Sequence, residues 1–375
     1  MNFFQYARSV RNIISANPQD ITGRRGHGFF SNFVPAMIRE YFDTSLKEYN
    51  TFGIDVSCKR LLEYESAEEL ADILRNRPDA TAGRWAVLGG GSNVLFTDDF
   101  DGTLLHPSGG EICITGRDAG KTFVRADAGI KWDELTRWCA ERNLWGTENL
   151  AGIPGTVGAA PVQNIGAYGA EAADVIASVE TLDPQSLAKA VIAAPHCGFG
   201  YRDSVFKRTL KGRTIITAVN LALSEIPAPK LTYGALAEIF AGESEATPAL
   251  VRETVLRLRN EKLPDPQVTG NAGSFFKNPV VERTAAEKLS ERWPDMPSYR
   301  TADADTLKLA AAWLIEKAGW KGRREGRAGV HDRQALVLVN HGCAEGGEVL
   351  ALARRIQDDV ERLFGIRIET EVNIL

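Results

Sequence analysis

Two glycine-rich segments give the strongest chemical signal in this sequence. The first, Gly89-Gly90-Gly91-Ser92-Asn93, follows an apolar run that predicts a strand at 85–88. Glycines here let backbone N–H groups converge on an anion, and Ser92 and Asn93 add hydrogen-bonding side chains. The dinucleotide fingerprint GxGxxG is absent because Val94 stands at its third glycine. No Gly-Lys-Ser/Thr follows either, so the segment is a tight turn or a phosphate loop of another kind.

The second segment, residues 151–169, carries five glycines in nineteen residues and no charge. A long stretch without regular periodicity is uncommon in a compact domain unless it is functional. Its small residues would let a flat ligand approach the backbone, and the amides of Gln163 and Asn164 could bind the edge of a heterocycle. Together the two segments predict a dinucleotide site that is neither a Rossmann fold nor a P-loop.

Two further segments combine glycines with a reactive side chain. Arg202 lies in Gly198-Phe199-Gly200-Tyr201-Arg202-Asp203-Ser204, and its permanent charge could bind a carboxylate through two hydrogen bonds. The alternative is an ion pair with Asp203 or another neighbour. Ser274 lies between Gly273 and two phenylalanines. A serine is a weak acid, and on the sequence alone a turn or helix-cap serine is the favoured interpretation.

The closing segment, 366–375, alternates in the manner of a strand. Its apolar residues share one face, and Glu369 and Glu371 share the other. Acids on a strand face are usually solvated, so the pattern alone assigns no function to Glu371.

Composition narrows the class of protein. The 375 residues include 44 basic and 49 acidic side chains, a net charge of −5. This argues against a nucleic-acid partner bound by bulk charge, but not against a small anionic ligand. No apolar run reaches the roughly 18 residues of a membrane span. The five cysteines are scattered and form no CxxC pair, so neither a disulfide framework nor a zinc site is indicated, and a reducing cytosol is expected.

The elements that must position these residues can be read from periodicity. Ser66 with Glu69 predicts a helix start, and so does Thr247-Pro248. An apolar stripe from Leu307 to Ile315 and another from Val349 to Leu363 predict two later helices, the second ending at Gly365. A Pro-rich stretch at 225–230 suggests a domain boundary. Residues 1–45 look like an extension; the first nineteen lack acids, which also fits a transit peptide.

Five motifs in this order resemble the UDP-N-acetylenolpyruvoylglucosamine reductase family. They are Asn50-Thr51-Phe52-Gly53, residues 89–93, residues 151–169, Tyr201-Arg202-Asp203-Ser204, and Asn271-Ala272-Gly273-Ser274-Phe275-Phe276-Lys277-Asn278-Pro279. The resemblance runs from about Leu46 to Leu375. It implies an α+β chain with the FAD-binding fold of vanillyl-alcohol oxidase and p-cresol methylhydroxylase. The implied domains are a two-part FAD-binding region at 46–225, a substrate-binding domain at 226–365, and a closing strand at 366–375 that returns to the active site.

The resemblance also implies a reaction. NADPH reduces FAD, which passes a hydride to the β-carbon of an enolpyruvyl ether on UDP-N-acetylglucosamine, giving UDP-N-acetylmuramate for peptidoglycan. An enolate then forms and a proton must reach the α-carbon. By resemblance Arg202 and Glu371 hold the enolate and Ser274 donates the proton. The implied substrate contacts are Tyr201, Lys262, Asn278 and Tyr233, the last on a loop typical of the family's first type.

The family's FAD contacts correspond here to residues of both glycine-rich segments: Gly89, Gly90, Gly91, Ser92, Asn93, Ala151, Gly152, Ile153, Pro154, Gly155, Thr156, Val157, Gly158, Gln163, Asn164, Gly166 and Ala167. Neither segment holds a histidine, which predicts noncovalent FAD. His331 and His341 are interpreted as structural, and no metal is expected.

The alternative functions are that of a sugar or alcohol oxidase of the same fold and that of a nonenzymatic UDP-sugar sensor. We expect a cytoplasmic monomer without nucleic-acid or membrane partners.

Overall fold

A computed structural model describes residues 38–241, 246–301 and 303–375. Residues 38–375 form one compact unit. Of the extension predicted at residues 1–45, positions 1–37 lie outside the described residues. Its last part is described, and it is an edge strand of the first sheet rather than an appendage. The boundary predicted near 225–230 falls within this unit and stays a prediction.

Twenty strands and seven α-helices make up the described residues. The strands are β1 Arg39–Ser45, β2 Ser57–Tyr64, β3 Trp85–Val87, β4 Val94–Leu95, β5 Phe100–Pro107, β6 Ile112–Asp118, β7 Lys121–Asp127, β8 Gly166–Ala167, β9 Ala170–Glu171, β10 Ile176–Leu182, β11 Lys189–Ala193, β12 Ile215–Ser224, β13 Gly270–Ser274, β14 Val280–Glu282, β15 Ser298–Arg300, β16 Thr306–Leu309, β17 Arg324–Glu325, β18 Ala328–Val330, β19 Val337–Asn340 and β20 Asn373–Ile374. The helices are α1 Ala67–Asn76, α2 Trp132–Ala140, α3 Ala235–Ile239, α4 Pro248–Lys262, α5 Arg283–Arg292, α6 Ala311–Lys317 and α7 Gly346–Phe364. The predicted α+β class is confirmed.

The first sheet has the strand order β1-β2-β5-β3, in which β2, β5 and β3 run parallel and β1 is antiparallel. Helix α1 packs Leu70, Ile73 and Leu74 against it. Ser66 caps α1 as predicted, accepting a hydrogen bond from the Glu69 N–H at 3.1 Å. The first glycine-rich segment begins just after the carboxyl end of β3, so the first sheet determines its position.

The second sheet is antiparallel, with the order β11-β10-β12-β7-β6. Its core includes Val219 and Leu221 of β12, Trp132 of α2, and Val157 of the second glycine-rich segment. That segment is therefore anchored in an apolar core on one side and faces the first segment on the other.

The C-terminal part contains the sheets β13-β19-β18-β17 and β14-β16-β15. Helix α7 covers the former with Val349, Ile356 and Val360, and ends at Gly365 in the left-handed region, as predicted. The stripe predicted as a helix from Leu307 is wrong at its start: Leu307 lies in β16, and the helix begins only at Ala311. No helix of the described residues is long and apolar enough to cross a membrane.

Candidate active site

The two glycine-rich segments face each other across a cleft of about 380 Å³. They approach so closely that side chains would collide. A Cβ on Gly90 would lie 3.0 Å from the Gly155 Cα, and one on Gly89 would lie 2.7 Å from Thr156 Oγ1. Gly91 has φ +60°, and a Cβ there would lie 1.9 Å from the Tyr49 carbonyl oxygen. Contacts thus favour glycine at three successive positions, and at Gly90 the two segments approach backbone to backbone.

The chemistry of this cleft fits a flavin dinucleotide. Backbone N–H groups of the glycine turn suit a diphosphate, and apolar walls that include Trp85, Phe206 and Ile216 suit flat rings. Thr156 Oγ1 is buried without a hydrogen-bond partner among the described residues, so it is available to a bound ligand. The cleft therefore fits FAD.

The predicted cofactor residues divide into two groups in the structure. Those that line the cleft are Gly89, Gly90, Gly91, Ser92, Asn93, Pro154, Gly155, Thr156, Gly158 and Gln163. Those outside its lining are Ala151, Gly152, Ile153, Val157, Asn164, Gly166 and Ala167. Several of the latter have other contacts, since the Gly152 carbonyl accepts a hydrogen bond from Arg259 at 3.2 Å and Val157 is fully buried. The cleft also includes Lys211 and Ile374, which the motifs did not indicate.

Arg202 and Glu371, which are far apart in sequence, form a buried ion pair. The Arg202 Nε lies 2.7 Å from the Glu371 Oε1, and their side chains are 19% and 11% exposed. The Nε–H nevertheless makes no directed hydrogen bond, so the contact is ionic. The guanidinium Nη2 donates to the Gly166 carbonyl at 2.8 Å and Nη1 to the Asn164 carbonyl at 3.4 Å. Two predicted cofactor residues thus hold the arginine.

A tight turn presents Arg202 in an unusual backbone conformation. Gly200 and Asp203 exchange both backbone hydrogen bonds, at 3.0 and 3.2 Å, and Arg202 between them has φ 55°. A side chain in this left-handed region costs about 1–2 kcal/mol, so the surrounding contacts must enforce it. The ion pair considered between Arg202 and Asp203 does not form; Asp203 pairs with Arg208 at 3.1 Å.

Glu371 is the most strongly enclosed acid of the site. Burial raises its pKa, and the nearby cations Arg202, Lys207 and Lys277 oppose that shift. Gln163 Nε2 lies 3.4 Å from the Glu371 Oε1, which links the carboxylate to the cleft. The terminal strand predicted at 366–375 is shorter than expected: apart from β20, only Thr370 pairs, with Phe276.

Ser274 lies at the end of β13, next to the segment that carries Glu371. The Phe275 carbonyl accepts a hydrogen bond from the Glu371 N–H at 2.8 Å, so the two chain segments are in direct contact. Ser274 is partly exposed, caps no helix of the described residues, and its hydroxyl has no hydrogen-bond partner there. The helix-cap interpretation is therefore wrong, and the hydroxyl is free to contact a ligand.

The predicted substrate residues are only partly brought together. Tyr201 and Asn278 contact each other beside Arg202, and burial raises the Tyr201 pKa. Tyr233 is 52% exposed and packs on Gly169. A Cβ added to Gly169 would lie 3.1 Å from the Cβ of Tyr233. Lys262 is exposed at the end of α4. Sequence reasoning missed Lys308, whose ammonium lies 4.6 Å from the centre of the Tyr201 ring.

His331 and His341 show no metal-binding arrangement with other described residues. His331 and His341 both have pKa values lowered by burial. Within the described parts of the chain no group of three or more His, Cys, Asp or Glu side chains is placed to hold a metal ion.

The cleft and the adjoining arginine–carboxylate pair fit a flavin-dependent oxidoreductase, and residues 59–188 match an FAD binding domain. Residues 265–375 match the C-terminal domain of UDP-N-acetylenolpyruvoylglucosamine reductase. Enzymes of that name from Bacteroides fragilis and Pseudomonas aeruginosa are 44% and 47% identical, each over 88% of this chain and over 98% and 97% of their own length. The crystal structure of the Thermus caldophilus reductase superposes with a TM-score of 0.61 at 27% identity, covering 90% of this chain and 98% of that one. The chain belongs to the UDP-N-acetylenolpyruvoylglucosamine reductase family.

Proposed function

We propose that this protein reduces the enolpyruvyl ether of UDP-N-acetylglucosamine to UDP-N-acetylmuramate, with NADPH as the reductant. The observation that carries the proposal is the buried Arg202–Glu371 pair, which adjoins both Ser274 and a cleft that fits FAD. When bound, FAD supplies the hydride that enters the β-carbon of the substrate.

Arg202 binds the substrate carboxylate and stabilises the negative charge that develops there. Its contacts with Asn164 and Gly166 use one N–H on each terminal nitrogen, which leaves a second N–H on each for the carboxylate. In a site this buried a fixed cation stabilises an enolate far more than it would in water.

Ser274 delivers the proton to the α-carbon, and Glu371 helps to hold the enolate by positioning the Arg202 guanidinium beside it. The free hydroxyl of Ser274 and the 2.7 Å contact between Glu371 and Arg202 support these roles. Tyr201, Asn278 and Lys262 bind the UDP-sugar, and Tyr233 covers it.

The same proposal places the protein in peptidoglycan precursor synthesis, and hence in cell-wall growth, cell shape and division. We further propose a cytoplasmic monomer. Its FAD-binding region spans 46–225, its substrate-binding domain spans 226–365, and its closing segment spans 366–375.

An anaerobic assay tests the function. The purified protein should be yellow, NADPH should bleach it, and the enolpyruvyl substrate should restore the colour. Acid precipitation should release the flavin. Colour that stays with the precipitate, or that returns with oxygen and a simple sugar but not with the enolpyruvyl substrate, would indicate the oxidase alternative. Binding of UDP-sugars without any bleaching would indicate a sensor.

A further inference from the structure

One lysine beside the ion pair has no role in the proposed chemistry. Lys207 is partly buried, and its ammonium lies 3.4 Å from the Arg202 carbonyl oxygen. It forms no ion pair with a carboxylate of the described residues within 4.0 Å. A cation in such a place is costly unless an anion compensates for its lost hydration.

The positive charges around Glu371 come from two segments. Arg202 and Lys207 lie on the turn at 200–207, and Lys277 follows β13. Lys277 forms an ion pair with Glu369 at 3.2 Å, so its charge is already neutralised. Asp203 forms an ion pair with Arg208 in the same way.

A charge balance follows from these pairings. Arg202 is neutralised by Glu371 before any ligand binds. A substrate carboxylate then brings a second negative charge into the same buried space, and the enolate keeps it there. Among the described residues around this space, Lys207 and Lys308 are cations without an ion-pair partner. Lys308 lies over the Tyr201 ring, whereas the Lys207 ammonium contacts the turn that carries Arg202.

We propose that Lys207 is a positioning residue for the carboxylate end of the substrate: its ammonium holds the Arg202 turn through the Arg202 carbonyl and balances the second negative charge. This rests on the proposed function. Burial lowers the pKa of Lys207 while Glu371 opposes that shift, in keeping with a cation that lies near the Glu371 carboxylate.

Paired ligands test this inference without catalysis. UDP-N-acetylmuramate carries the carboxylate, whereas UDP-N-acetylglucosamine lacks it. In calorimetric titrations of the FAD-loaded protein, Lys207→Met should weaken binding of the first about tenfold and leave the second unchanged. Lys207→Arg should restore most of the loss. Lys317→Met is the matched control, since Lys317 is a partly exposed lysine paired with Asp295 outside the site.

The pH dependence gives a second readout. Because Lys207 opposes the raised pKa of Glu371, its removal should raise that pKa further. The limb of the pH profile for flavin reoxidation that reports Glu371 should move to higher pH in Lys207→Met and stay in place in Lys207→Arg. The other charged or titratable groups near Glu371, which are Arg202, Lys277 and Tyr201, are unchanged in both variants.

Two outcomes would overturn this inference without contradicting the proposed function. One is unchanged affinity for UDP-N-acetylmuramate in Lys207→Met; the other is equal loss for both ligands, which would indicate a structural role. If the methionine variant does not retain FAD, Lys207→Gln takes its place with the same expected results. A wild-type protein that binds both ligands alike and is not reoxidised by the enolpyruvyl substrate would overturn the proposed function itself.

Discussion

Replacing Ser274 with alanine removes one hydroxyl from the end of β13. That hydroxyl has no hydrogen-bond partner among the described residues, so its loss leaves no buried polar group unpaired. We expect the free energy of unfolding to change by less than about 0.5 kcal/mol and the melting temperature by no more than about 2 °C. The fold and the FAD cleft should be unaffected.

The effect on chemistry should be much larger and should fall on one half of the reaction. Transfer of a hydride from NADPH to the flavin needs no protein acid, so flavin reduction should keep close to its normal rate. Reduction of the enolpyruvyl group needs a proton at the α-carbon. A positioned acid contributes about 10²–10⁴-fold, which corresponds to about 2.7–5.4 kcal/mol of activation free energy.

Rapid-mixing absorbance separates the two halves. Oxidised protein is mixed with NADPH in one experiment, and reduced protein with substrate in the other. Substrate affinity should change little because Arg202 and Glu371 remain in place. Ser290→Ala is a suitable control, since the Ser290 hydroxyl bonds only within α5, to the Ala286 carbonyl at 3.0 Å.

Three results would refute this reasoning. Equal slowing of both halves would indicate a general structural effect. Normal reoxidation by substrate would show that another group or water delivers the proton. A large drop in melting temperature would show that the hydroxyl has a structural partner.

Tyr233→Ala should raise the Michaelis constant for the UDP-sugar and leave flavin reduction by NADPH nearly unchanged, because the tyrosine is half exposed on a loop beside the site; an unchanged constant would contradict its covering role. Deleting residues 1–37 should preserve flavin content and turnover. Deleting 1–45 should lower the melting temperature by several degrees, because it removes β1 and with it a buried ion-pair partner of β2; equal stability of the two truncated proteins would argue against this. Gly91→Ala should lose flavin, measured as the ratio of flavin to protein absorbance, because its φ and the Tyr49 carbonyl exclude a Cβ. Gly83→Ala, with open space around its Cβ, is the control and should keep the wild-type ratio.

Part of the site could be predicted because its physical requirements are local. Small residues leave room for close approach, so the glycines at 89, 90 and 155 allow the sequence to predict that both segments line one dinucleotide site. Helix α7 was equally clear, since its apolar residues recur at helical spacing and Gly365 ends it in the left-handed region.

The rest depends on contacts between distant segments. The sequence cannot show that Lys207 contacts the turn that carries Arg202 near Glu371, and a lysine followed by an arginine looks solvated. The spacing of Leu307 to the following alanines predicts a helix, but pairing with β14 and β15 places Leu307 in a strand. Tertiary pairing overrides such short patterns.

The contacts that place Glu371 have a consequence for how the protein folds. Asn93 donates to the Glu371 carbonyl at 3.3 Å across 278 residues of chain, whereas its bond to Gln163, at 2.6 Å, spans only 70. Closure of longer loops costs more conformational entropy and comes later on average. The two glycine-rich segments can therefore meet before the closing segment, 366–375, docks against them. During refolding, flavin binding through the two glycine-rich segments should begin to recover before turnover, because docking of the closing segment adds Ile374 to the cleft and Glu371 to the ion pair.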